Sequence, residues 1–76
     1  MKVPDKFPSG CRFVFGFSGD EYVSLPGEGW FKASDDGKSL IPLPGMDDKG
    51  PKSGAVVSEE AFVACLKRSS ELNAAR

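Results

Sequence analysis

The chain has 76 residues, of which 39% are hydrophobic and 28% are charged, and it contains no histidine. This length suffices for a single domain, and the composition is typical of a globular protein rather than of a disordered one. Ten basic and eleven acidic residues leave a formal net charge of -1, which argues against general binding to nucleic acid or to membranes. Without an apolar run of membrane-spanning length or an apolar leader, we expect a cytoplasmic protein of bacterial or phage type.

The first predicted strand covers residues 11–17. A cysteine and three phenylalanines occupy its alternate positions: Cys11, Phe13, Phe15 and Phe17. Side chains at this period share one face of a strand, so this strand is expected to form the floor of the core. The preceding residues 1–10 contain two prolines and predict an extended arm, with Phe7 placed on the core.

Three further strands are predicted at residues 21–25, 30–34 and 39–43, separated by turns that contain glycine. Pro42 cannot donate to a strand ladder, which makes the last of them a short or an edge strand. Residues 44–57 are interpreted as a loop followed by a short extended segment. The part rich in glycine and proline, residues 44–54, is too long for a simple connection and is either a crossover or a binding loop.

A helix is predicted in the last part of the chain, within residues 58–75. Ser58 is a good N-cap, and Glu59 and Glu60 lie in the first turn, where the helix dipole favours anions. The helix is expected to begin at Glu59 and to end near residue 73. One face carries residues at helical spacing: Phe62, Cys65, Leu66, Ser69 and Leu72.

These elements predict one α+β domain over residues 1–76, with an arm (1–10), a four-stranded antiparallel meander (11–43) and a helix that packs on one face of the sheet. A small barrel built from the same strands is the alternative. The predicted core consists of apolar residues from both the strands and the helix: Phe13, Phe15, Val23, Leu25, Phe31, Ile41, Phe62, Cys65 and Leu66.

Catalysis is not expected, because the absence of histidine removes the commonest general base and the nucleophiles that depend on it. Cys11 and Cys65 are interpreted as reduced, buried thiols, with a disulfide between them as the alternative. Two cysteines without histidine cannot complete a tetrahedral zinc site. The aspartate pairs at 35–36 and 47–48 are typical of solvated turns, so no metal or cofactor is predicted.

A single helix cannot cover both faces of a four-stranded sheet, so some of Val14, Tyr22, Trp30 and Leu40 should remain exposed and mark a partner surface. The leading hypothesis is a non-catalytic protein-binding module, which is an accessory or inhibitor of a larger assembly or forms a homodimer. Tyr22, Trp30 and Phe31 would be its anchors. The polar rim would come from two lysines and the long loop: Lys32, Lys38 and residues 44–54.

The alternative hypothesis is a nucleic-acid-binding module. Phe13, Phe15 and Phe17 beside Arg12 resemble the aromatic strands on which some sheet proteins stack single-stranded bases. A local basic patch would have to be assembled from dispersed residues: Arg12, Lys32, Lys38, Lys67 and Arg68. A steep loss of binding with salt would favour nucleic acid, and a flat response would favour a protein partner.

Overall fold

A computed structural model describes residues 1–46, 50–51 and 54–74. The elements in chain order are β1 (Arg12–Phe15), β2 (Glu21–Leu25), β3 (Gly29–Ala33), β4 (Leu40–Pro42), β5 (Ala55–Val57) and α1 (Glu59–Ala74). All neighbouring strands are antiparallel, in the spatial order β4-β3-β2-β1-β5. The α+β class is therefore confirmed. The sheet has five strands and is open, so both the predicted number of four strands and the barrel alternative are wrong.

The fifth strand explains the role of the long loop. β5 pairs with β1, placing Val57 opposite Phe13 and Ala55 opposite Phe15. β4 and β5 therefore lie at opposite edges of the sheet, and residues 43–54 must cross four strand spacings, roughly 19 Å. We call residues 43–54 the crossover loop. Of the two interpretations that the sequence left open, the structure supports a crossover.

The main hydrophobic core lies between the sheet and α1, on the side that we call the helix face. Phe13, Val23 and Phe31 lie next to one another on three adjacent strands of this face. Phe62 from α1 is fully buried above them, and its ring centroid is 4.9 Å from that of Phe13. The buried core cluster comprises Phe7, Phe13, Val23, Leu25, Phe31, Ala33, Leu40, Phe62 and Leu66.

The first residues of the chain extend along the outer edge of β4. The amide of Leu40 donates to the Met1 carbonyl at 2.6 Å, and the amide of Val3 donates to the Lys38 carbonyl at 3.2 Å. The arm then reaches the core, where the buried ring of Phe7 meets that of Phe62 at 5.8 Å between centroids. The predicted placement of Phe7 is confirmed, and the β4 edge is occupied by the chain itself.

Two local features fix the position of α1. The Ser58 hydroxyl accepts a hydrogen bond from the amide of Ala61 at 3.1 Å, which confirms Ser58 as the N-cap. At the other end, the turn between β3 and β4 packs beneath the helix. There is no room for a Cβ at Gly37 because the carbonyl oxygen of Leu66 occupies that space. The helix is thus held at its start by a cap and further along by a close backbone contact.

The predicted core is wrong at one strand position, and it includes other residues that are only partly buried. Ile41 is 48% exposed, whereas Leu40 is fully buried. The register explains this difference, because Leu40 lies opposite Ala33 on the helix face and Ile41 lies opposite Lys32 on the other side. The side chains of two further predicted core residues are only half-buried: Phe15 and Cys65.

Candidate functional site

Trp30 and Phe31, two of the predicted anchors, are buried. They are consecutive residues of β3 and therefore point to opposite faces of the sheet. Phe31 belongs to the helix-face core. Trp30 is 5% exposed, and Gly50 of the crossover loop lies so close to its ring that no Cβ would fit between them. The expectation that these two residues form an exposed aromatic patch is wrong.

The face opposite α1, which we call the back face, has a small core of its own. Val14 is buried there, and a Cβ added at Gly54 would lie 2.8 Å from Cγ1 of Val14. The amide of Leu43 donates to the Trp30 carbonyl at 3.0 Å, which fixes the start of the crossover loop beside β3. Gly50 and Gly54 of the loop therefore lie against Trp30 and Val14 on the back face. Leu40 is buried on the helix face, so Tyr22 is the one of the four candidates for exposure that is not buried.

Tyr22 is the predicted anchor that remains accessible, because it is half-buried on the back face. Its ring occupies the space beside Gly16, where an added Cβ would lie 3.0 Å from Cε2. The hydroxyl donates to Oδ2 of Asp20 at 3.4 Å, and Nζ of Lys32 lies 3.6 Å from Oδ1 of the same carboxylate. Asp20 thus holds both Tyr22 and Lys32 in place at this end of the sheet.

Two strongly exposed apolar side chains lie at the same end of the sheet as Tyr22. Val56 lies opposite Val14, which lies opposite Tyr22, so Val56 and Tyr22 belong to one row of the back face. Phe17 is the residue after Gly16, in the turn closed by the hydrogen bond from the Gly19 amide to the Gly16 carbonyl. Phe17 and Val56 are each 80% exposed. We call this group the corner patch: Phe17, Tyr22 and Val56.

The corner patch borders an unpaired strand edge. β5 is the last strand of the sheet, next to β1. Among residues 1–46, 50–51 and 54–74, no segment pairs with the outer side of β5, whereas the outer side of β4 is bonded to the arm. An edge strand presents unpaired amide and carbonyl groups that can bond to another chain. Exposed apolar side chains and open backbone groups therefore meet at one margin of the molecule.

The basic residues of the alternative hypothesis do not share one face of the sheet. Arg12 lines a shallow groove of about 560 Å³ with Ser24, Pro26 and Trp30, and Lys32 is paired with Asp20. Lys38 is exposed in the turn between β3 and β4. The remaining two are exposed on α1, which covers the opposite face of the sheet: Lys67 and Arg68.

The two cysteines are free thiols. The Sγ of Cys65 donates to Oε1 of Glu21 at 2.9 Å. Burial, followed by this hydrogen bond, raises the pKa of Cys65 to about 11, so the thiol is protonated at neutral pH and is a weak nucleophile. Burial and the nearby Glu59 carboxylate also raise the pKa of Cys11. This arrangement favours packing over thiol chemistry.

No group of three or more cysteines and carboxylates that could hold a metal ion occurs in the described part of the chain. The residue pair 47–48 lies outside the described residues, as do five positions of the predicted loop rim: 47–49 and 52–53.

Comparisons of this chain with protein-family models, curated proteins and solved structures find no match. Within the ranges that the structure describes, no helix combines the length and the apolar character needed to cross a membrane.

From the sequence, Phe17 is named only as part of an aromatic strand, and Val56 is not singled out. Alternation predicts that Phe17 continues the face of Phe13 and Phe15, but β1 ends at Phe15 and the turn begins directly afterwards. Val56 lies in the short run 55–57, which has β-branched residues after a glycine and could have been identified as a strand from that composition.

Proposed function

We propose that this chain is a non-catalytic protein-binding module, an accessory or inhibitor of a larger protein assembly, and that it binds through the corner patch. Tyr22 and Lys32 keep the roles that the sequence predicts for them. Phe17 and Val56 take the place of Trp30 and Phe31. The observation that supports this proposal is the 80% exposure of Phe17 and Val56 at the same end of the sheet as Tyr22.

The chemistry of the patch suits a protein partner. Aromatic side chains are enriched at interface centres because each removes a large apolar area from water at little cost in side-chain entropy. The ring of Tyr22 already lies against Gly16, and its hydroxyl is hydrogen-bonded to Asp20. The side chain of Tyr22 therefore loses little further conformational entropy when a partner binds. The ion pair between Asp20 and Lys32 supplies a polar border beside the apolar centre.

A double variant, Phe17→Ser with Val56→Thr, tests this proposal. Both side chains are largely exposed, and threonine keeps the β-branched shape that strands favour. We expect the tagged variant to recover its main partner from a nuclease-treated lysate of the source organism roughly tenfold less well than the parent does. This loss corresponds to about 1.4 kcal/mol, within the range for interface aromatics.

The matched control is Leu72→Gln, which removes another largely exposed apolar side chain, on α1. This control should recover the partner at the level of the parent. Equal recovery by the parent and the double variant would exclude the corner patch as the binding site. Equal losses in the double variant and the control would show that the capture reflects general stickiness of exposed apolar residues.

A further inference from the structure

Within the described residues the outer edge of β5 is unpaired, and this edge indicates how a partner would reach the corner patch. Resting on the function proposed above, we infer that the partner contributes an extended segment, which adds to β5 as a sixth, antiparallel strand. Alternate residues of an edge strand direct their amide and carbonyl groups outwards, where such a segment can bond to them. This mode of recognition takes its affinity from main-chain hydrogen bonds and its specificity from alternate side chains.

The length of β5 favours a peptide segment over a second copy of the chain. Two copies of β5 paired about Val56 would match only three residues on each side, because β5 ends at Val57 and α1 begins at Glu59. Such a contact falls far short of the roughly 1,200 Å² that a stable interface buries in total. A separate extended segment has no helix at this point and can continue past Ala55 to lie opposite Gly54.

The register gives the side-chain chemistry of this segment. In an antiparallel pair, the residue opposite Val56 points to the same face of the sheet, so its side chain lies beside the exposed Val56 on the back face. Two residues later, about 6.8 Å along the strand, the next side chain on that face comes opposite Gly54, which has no side chain to exclude it. The ligand is therefore an extended peptide with a β-branched residue followed two positions later by an aromatic or aliphatic one.

A designed peptide provides the probe: acetyl-Lys-Thr-Val-Thr-Phe-Thr-Lys-amide. Two doubly N-methylated isomers of this peptide are compared with it. One carries the methyl groups on the amides of the valine and the phenylalanine, and the other carries them on the amides of the second and third threonines. Only alternate amides of an added strand bond to its neighbour. One isomer should therefore bind as the parent peptide does, and the other roughly thirtyfold more weakly, since two main-chain hydrogen bonds are worth about 1 kcal/mol each.

Binding is read from the backbone amide NMR signals of the full chain, with the largest shifts expected at Ala55, Val56 and Val57. Equal binding of both N-methylated isomers would exclude strand addition and leave the corner patch as a side-chain surface. Failure of the parent peptide to bind at millimolar concentration would overturn the inference, whereas the proposed function would still be decided by the capture experiment. Sedimentation equilibrium showing a dimer that Val56→Lys dissociates would assign the edge to a second copy and also overturn it.

Discussion

The two faces of the sheet are covered by different means. On the helix face, side chains from α1 and the arm interdigitate with those of the strands, and Phe62 meets the rings of Phe7 and Phe13. On the back face, Trp30 and Val14 are covered by the crossover loop, which contacts them at Gly50 and Gly54. The helix face depends on side-chain volume, whereas the back face depends on two loop positions, Gly50 and Gly54, that have no room for a side chain.

This difference predicts that substitutions on the two faces act through different physical causes. Removal of atoms should be damaging on the helix face, because cavities in a packed core lose both transfer energy and contacts. Addition of atoms should be damaging on the back face, because the loop would have to move away from Trp30. The three predictions that follow test this contrast, beginning with the largest effect.

Phe62→Ala should have the largest effect. Phe62 is fully buried and its ring lies 4.9 Å from Phe13 and 6.4 Å from Phe15 between centroids. Truncation of a buried phenylalanine costs about 3–5 kcal/mol, a large fraction of the roughly 5–15 kcal/mol that stabilises a typical domain. Urea unfolding should therefore show a partly or wholly unfolded variant. Val63→Ala, at the adjacent and exposed position, should lose far less, and equal losses would contradict the helix-face core.

Gly50→Ala should have an intermediate effect, of about 1–3 kcal/mol. Gly50 has a φ of 84°, which costs roughly 1–2 kcal/mol for a residue with a Cβ, and the new methyl group would collide with Trp30. The loop should move away from the ring, so the fluorescence of Trp30, the only tryptophan, should shift to longer wavelength. The free energy of unfolding measured in urea gives the loss of stability.

Alanine variants at two further glycines separate the backbone cost of Gly50→Ala from its collision with Trp30. Gly19 has a φ of 97° with open space around it, so Gly19→Ala isolates the backbone cost. Gly45, in the same loop as Gly50, has neither a positive φ nor a close neighbour, so Gly45→Ala should be nearly neutral. A red shift of Trp30 fluorescence in Gly50→Ala alone supports the loop contact. An unchanged spectrum in Gly50→Ala would show that the loop does not cover the ring.

The same contrast explains which parts of the structure could be predicted from the sequence. β2 has the predicted bounds, and α1 begins at the predicted residue, because alternation and helical spacing reflect contacts with the helix face. The close approach of Gly50 to Trp30 produces no such pattern, since a glycine in a loop contributes no periodic apolar side chain. One signal was available: Trp30 and Phe31 are consecutive large apolar residues in a strand, which indicates a sheet covered on both faces.

The choice between Leu40 and Ile41 illustrates a different limit. Both are aliphatic and adjacent, and a three-residue strand contains too little alternation to show which one points to the core. The pairing of Leu40 with Ala33 decides this, and that pairing depends on the turn at Asp36 and Gly37. Residue periodicity does not specify such a register, which comes from turn geometry.

The smallest predicted effect concerns that turn, which completes the helix face because Gly37 packs beneath α1. Oδ1 of Asp36 accepts hydrogen bonds from the Ser34 hydroxyl at 2.6 Å and from the Lys38 amide at 3.0 Å. These bonds, the Ser34 bond foremost, lower the pKa of Asp36 below its ordinary value of 3.8. A carboxyl whose pKa is lower in the folded state binds its proton more readily when unfolded, so it stabilises the fold above pH 3.8.

That contribution should be lost as the pH falls from about 4 through the folded pKa of Asp36. Asp36→Asn keeps an oxygen acceptor for Ser34 and Lys38 but carries no charge and cannot titrate. It should therefore be less stable than the parent at pH 7 and lose less stability in acid, where the two proteins should converge. Asp5→Asn, at an exposed position of the arm, serves as the control and should follow the parent. Urea unfolding at intervals from pH 7 to pH 2.5 measures this difference. If all three proteins lost stability in parallel, the acid sensitivity of the helix face would have to come from groups other than this turn.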